Sequence, residues 1–190
     1  MTRTSITQAS FLALLLALSA SSVALAQDGE AADPAENPNT GEVSDMLVPQ
    51  DGALATYQEH VRALNACEWD ALLAQYPNDA EIHLPEGVVV KGRQAIGELF
   101  AGFVLPVEDG GLCGITFSEE SRFEVGGTEV VQWVAEADFL AEPYRGSDAY
   151  VSDGQYMAAM VSTFDGAELV MAGADEEMAD EEMTEDGEAE

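Results

Sequence analysis

Histidine and cysteine are the scarce chemical groups in this chain of 190 residues, which carries two of each against 37 acidic side chains. His60 falls between Tyr57 and Leu64, at the edge of an apolar stripe with helical spacing. A histidine so placed titrates near neutral pH and can act as general acid or base when a carboxylate orients it. Asp148 alternates onto one strand face with Tyr144, Gly146 and Tyr150. If that face is buried, desolvation raises its pKa unless it gains a partner such as His60 or Arg145. A second reading stays open for each: a structural histidine bonded to one carboxylate, and an exposed aspartate among many. His83 alternates with Ile82 and Leu84 and should face away from them, toward solvent or a dimer partner.

Cys67 and Cys113 are either a disulfide or two buried thiols. Neither belongs to a CxxC redox motif or a Cys/His zinc set, and the sequence holds no Ser/His/Asp order and no glycine-rich phosphate loop. No cofactor and no metal is therefore expected.

The elements that must position these groups follow from periodicity. Asp51 is a candidate N-cap, after which Leu54, Tyr57, Val61 and Leu64 recur at helical spacing. Asn65-Ala66-Cys67 interrupts that helix. Trp69 to Tyr76 reads as a second, shorter one, with Trp69 in the core and Asp70 as a first-turn charge. Pro77-Asn78-Asp79 ends it. Glu81 to Leu84 alternates as a strand, Pro85-Glu86-Gly87 turns, and Val88-Val89-Val90 returns. Gly92 leads into a third helix with Ile96, Leu99, Phe100 and Phe103 on one face. Ile115, Phe117 and Phe123 then mark a strand that turns at Gly126-Gly127. Val131, Trp133, Ala135, Ala137 and Phe139 alternate along the next, and two more follow at 144–152 and 155–164. Three N-terminal helices ahead of an antiparallel meander predict an α+β domain, with the helices on one face of a curved sheet.

Composition sets the address. Arg3, the apolar run Phe11 to Leu18 and the small-x-small Ala24-Leu25-Ala26 read as a signal peptide over 1–26, cleaved near Ala26. The expected location is a periplasm or the exterior. The apolar run is too short for a permanent span, and no later run is long enough. Residues 27–48 read as an acidic flexible linker, 49–171 as the folded domain and 172–190 as an acidic disordered tail. The net charge of −31 argues against nucleic acid and anionic membranes as partners, and favours cationic ones or a saline setting. Arg62, Lys91, Arg93, Arg122 and Arg145 are the cations after Ala26, each explained by ion pairing among so many acids.

Three stretches, ALNACEWDALLAQYPNDAEIHLPEG, VVVKGRQAIGELF and YRGSDAYVSDGQYMAAMVSTFDG, together resemble the SnoaL-like branch of the nuclear transport factor 2-like superfamily. The resemblance implies a cystatin-like cone: a curved, mainly antiparallel sheet around helices, a pocket at the wide end, and frequent homodimers through the outer sheet face. It implies a ligand pocket at Tyr57, Leu84, Trp133 and Tyr150. Ketosteroid isomerases of this fold carry a carboxylate base before the proline that ends the first strand, where this chain has Leu84. Their oxyanion-stabilising tyrosine and aspartic acid fall at His60 and Asp148 here. The missing base counts against that proton shuttle.

One fold hosts many chemistries, so three functions are weighed. The first is an exported protein binding a small apolar molecule in the cone, with no assigned reaction. The second is a lyase or isomerase using His60 with Asp148. The third is a dimeric interaction module with acidic extensions.

Overall fold

The computed structural model describes residues 35–173. The expected signal peptide, residues 27–34 of the expected linker and nearly all of the expected tail lie outside the described residues.

Helix α1 (Gly52–Asn65) buries Thr56, Tyr57, His60 and Ala63. This face is rotated from the expected stripe: Tyr57 is in the core, Val61 and Leu64 pack at its edge, and Leu54 is 38% exposed. Polar Thr56 can lie inside because its hydroxyl donates to Gly52 O (2.9 Å) and meets Ser152 Oγ at 3.3 Å. Asp51 occupies the N-cap position but makes no side-chain cap bond. Cys67, at φ 55° in the left-handed region, turns the chain from α1 into the short helix α2 (Trp69–Leu73). It is disulfide-bonded to Cys113. Helix α3 (Arg93–Val104) directs Ile96, Gly97, Phe100 and Val104 inward.

The strands are β1 (Glu81–His83), β2 (Val89–Lys91), β3 (Thr116–Val125), β4 (Thr128–Glu136), β5 (Tyr144–Ser152) and β6 (Met157–Ser162). They form one sheet in the order β2-β1-β6-β5-β4-β3, antiparallel except where β1 runs parallel to β6. The α+β class and the helices-on-sheet arrangement are as the sequence predicts. Phe139 lies past the end of β4, in the following loop.

A β-bulge between Glu119 and Ser121 shifts the pairing of β3 with β4. An inserted residue flips the side chains beyond it to the opposite face. Glu119 stays opposite inward-facing Trp133, while Phe123 pairs with Val130 and is 60% exposed. The shared face expected for Phe117 and Phe123 is lost there. The core between helices and sheet is built on Trp69, Leu72, Tyr76, Ile82, Ile96 and Met157.

The described part of the expected linker is laid against the domain. Asn37 Nδ2 donates to Asp70 (2.8 Å), and Val48 N to Ala74 O (2.9 Å). Buried Arg93 donates to the carbonyls of Ser44 (3.2 Å) and Met46 (3.0 Å), and also to those of Leu73 and Tyr76. A guanidinium with five fixed donors suits this four-carbonyl clasp. No helix among the described residues is long and apolar enough to cross a membrane.

Candidate functional site

A cavity of about 40 Å³ opens between α1, α3 and the concave face of the sheet, room for about three waters. Helix α1 contributes Tyr57 and His60, α3 Phe100 and Phe103, β3 Phe117 and Glu119, and β4 Trp133. Strand β5 adds Asp148 and Tyr150, and Ser162 and Phe164 close the far side. Phe103, Phe117, Trp133 and Phe164 form an aromatic wall with ring centroids 5.1–6.2 Å apart. The close approach of Trp133 to β5 depends on Gly146: a Cβ there would lie 2.4 Å from the indole.

Asp148 is the polar focus of the cavity. Its Oδ2 accepts from the Tyr150 hydroxyl (3.0 Å) and its Oδ1 from Thr163 N (3.2 Å). Burial raises its pKa above the ordinary aspartate value, and Ser162, Trp133, Tyr150 and Thr163 partly offset that rise. The buried Trp133 indole N–H makes no well-aligned hydrogen bond, yet lies near enough to the carboxylate to favour its charged form. The Tyr150 hydroxyl is held well above the usual tyrosine value by burial and by Asp148.

His60 is buried in the same cavity, with no hydrogen bond to Asp148. Its Nδ1 shares one with the Tyr76 hydroxyl at 3.2 Å, and its ring packs against Phe100 (5.5 Å) and Tyr150 (5.3 Å). Burial lowers its pKa to about 4, so the imidazole is neutral at pH 7. Tyr150 thus stands between the two expected partners: its ring lies against His60 and its hydroxyl on Asp148.

Of the expected pocket residues, Tyr57, Trp133 and Tyr150 line the cavity. Leu84 does not; its amide donates to Val88 O (2.8 Å) to close the β1–β2 turn, and its side chain packs at the edge of the core. His83 is half-exposed, with Nε2 3.0 Å from Glu81.

Sequence reasoning missed a charged chain at the rim. The Tyr57 hydroxyl donates to Glu119 Oε2 (3.1 Å), and Arg122 contacts Glu119 at 3.3 Å and Glu129 at 2.8 Å. Glu129 is only 2% exposed. The bulge turns Arg122 to the side that Glu119 already faces, and no local pattern announces a bulge. No group of three or more His, Cys, Asp or Glu suited to a metal ion occurs among the described residues.

No family model matches the sequence, and no curated protein does. Solved structures do resemble it. RV0760c from Mycobacterium tuberculosis aligns over 64% of this chain and 97% of its own, at 20% identity and a TM-score of 0.52. An uncharacterized cystatin fold protein from Novosphingobium aromaticivorans aligns over 60% and 98%, at 17% identity and a TM-score of 0.50. These likenesses are of fold alone: the domain has the cystatin-like α+β fold.

Proposed function

We propose that this protein is an exported SnoaL-like binding protein that holds a small molecule in its cone. The molecule's apolar body packs against the wall formed by Phe103, Phe117, Trp133 and Phe164, and its polar group meets Asp148. The observation that carries this reading is one buried carboxyl group at the end of an aromatic-lined cavity. Few convergent polar groups in a largely apolar concavity is the usual makeup of a ligand site. The volume limits the ligand to a few heavy atoms unless the phenylalanine rings turn. Export is supported by the N-terminal 26 residues and by the Cys67–Cys113 disulfide, a bond that persists in oxidising compartments.

No reaction is assigned. The lyase or isomerase alternative needs a basic imidazole paired with Asp148. His60 is instead neutral, weakly basic and bonded to Tyr76.

One observation favours homodimerisation alongside ligand binding. Register places Phe123, Val130, Ala149, Val161, His83 and Val89 in a single row across the outer sheet face. Phe123, Val161 and Val89 in that row are exposed. Burying such a row against a second copy removes apolar surface from water. Sedimentation of the wild type against Phe123→Asp tests this: a dimer that becomes monomeric supports it, and a wild-type monomer refutes it.

Native mass spectrometry of the mature protein isolated from its own compartment tests the binding reading. A retained small molecule that is lost in Asp148→Ala supports it. An empty protein that also takes up no small molecule from an extract contradicts it.

A further inference from the structure

The cavity's charge is lopsided. Among the described residues no lysine or arginine lines it, and its one imidazole is neutral. Arg122 is shared between two acidic side chains, Glu119 and Glu129, and of these three only Glu119 lines the cavity. Asp148 adds a second carboxyl group on β5, across β4 from Glu119 on β3. Between them stand the rings of Phe103, Phe117, Trp133 and Phe164, whose faces carry the negative end of the aromatic quadrupole. The whole chain, at −31, reinforces the sign.

We infer that the ligand is a small organic cation of the alkylammonium class, its charged head enclosed by the Phe103–Phe117–Trp133–Phe164 wall between Glu119 and Asp148. This inference rests on the cone-binding reading and narrows its ligand class. An anion would meet the carboxyl groups of Glu119 and Asp148, the latter buried, and is rejected. A neutral molecule fills the space but leaves Asp148 desolvated without a counter-charge. A cation relieves that cost and gains the cation–π attraction of several rings, which is strongest where water is excluded. The cavity, with room for about three waters, suits a compact head of a few heavy atoms. A quaternary head needs no acceptor, so the bonds from Tyr150 and Thr163 to Asp148 survive its binding.

The test titrates the protein with tetramethylammonium, tert-butanol and pivalate. These present a similar branched body with positive, zero and negative charge. The chain contains two tryptophans, so two indole N–H resonances report. Trp133 reads the cavity, while Trp69, bonded to Gly97 O at 2.8 Å in the core, is the internal control. The expected result is saturable movement of the Trp133 signal, with tetramethylammonium preferred over tert-butanol by at least about tenfold and over pivalate by more. Asp148→Asn should remove most of that preference while tert-butanol still binds. Glu119→Gln, at a half-exposed site, should weaken it in the same direction. Equal or tighter binding of tert-butanol or pivalate overturns the cation assignment and leaves the cone-binding reading standing. So does a tetramethylammonium preference that survives both variants. If none of the three probes moves the Trp133 signal, the binding reading fails and the cation assignment falls with it.

Discussion

The Tyr150 hydroxyl donates to the Asp148 carboxylate at 3.0 Å, from two residues along the same inward face of β5. That bond stabilises a charge that burial opposes, and it competes with the desolvation that raises the Asp148 pKa. Tyr150→Phe should therefore push the Asp148 pKa further up, visible in a carboxyl carbon NMR titration. It should also cost about 1–3 kcal/mol in denaturant unfolding, the usual loss of a bond to a buried charged group.

Because the folded-state pKa of Asp148 is raised, its contribution to stability is complete below the ordinary aspartate pKa. That contribution is lost as pH rises through the folded value. Asp148→Asn should flatten this fall. Unfolding free energies measured across acidic to neutral pH, wild type against variant, check the sign. A difference that grows in favour of the wild type with rising pH contradicts it.

His60 works in the opposite direction. Its pKa falls from the ordinary 6.5 to about 4 on folding. Its contribution is complete above 6.5 and is lost as pH falls through that window, because the unfolded chain takes up the proton first. The shift corresponds to about 3 kcal/mol. His60→Gln should remove that much pH dependence between pH 6.5 and 4, read from urea midpoints. If the two proteins keep a constant difference there, His60 is not buried neutral against Tyr76.

Gly146 should tolerate no side chain. A Cβ would meet the Trp133 indole at 2.4 Å and Thr163 Oγ1 at 2.7 Å, so Gly146→Ala must displace the ring into the cavity or part β5 from its neighbours. Overpacking of this kind costs about 1–3 kcal/mol. The variant should lose stability by that amount, shift the Trp133 indole resonance and leave that of Trp69 in place.

Removing the Cys67–Cys113 bond releases a loop with a sequence separation of 46 residues, worth about 4 kcal/mol in unfolded-chain entropy. Serine at both positions should lower the unfolding free energy by about that much. A Cys67→Gly, Cys113→Ser pair should lose less than Cys67→Ala, Cys113→Ser, because position 67 holds a left-handed conformation that glycine adopts without strain.

The sequence made the elements readable because their signals are local. Pro77-Asn78-Asp79, Gly92, Gly126-Gly127 and Asp153-Gly154 punctuate runs whose periods change from helix to strand. The face of β5 was equally legible, since strict alternation puts Asp148 and Tyr150 on one side. Partners were less so. Nothing local says that the Asp148 carboxylate meets Tyr150 while the His60 imidazole meets Tyr76, because those choices depend on how α1 rotates over the sheet. That rotation buried Thr56 and exposed Leu54, against hydrophobicity, because Thr56 finds acceptors there. The bulge after Glu119 was invisible for a related reason. One inserted residue changes which face Arg122 and Phe123 occupy without changing composition, and it hid the Tyr57–Glu119–Arg122–Glu129 chain among 37 acids. Leu84 shares its position with a catalytic base of similar folds but closes the turn after β1 instead of lining the pocket.

The measurement that bears most directly on the cone as a binding site is a high-resolution crystal structure of the protein as purified from its own source, without added ligand. Density larger than water is expected, enclosed by Trp133, Phe103 and Phe164, with one end directed at Asp148. A cavity that holds only ordered waters bonded to Asp148 and the Trp133 indole, in protein that also takes up no small molecule on soaking, would contradict it.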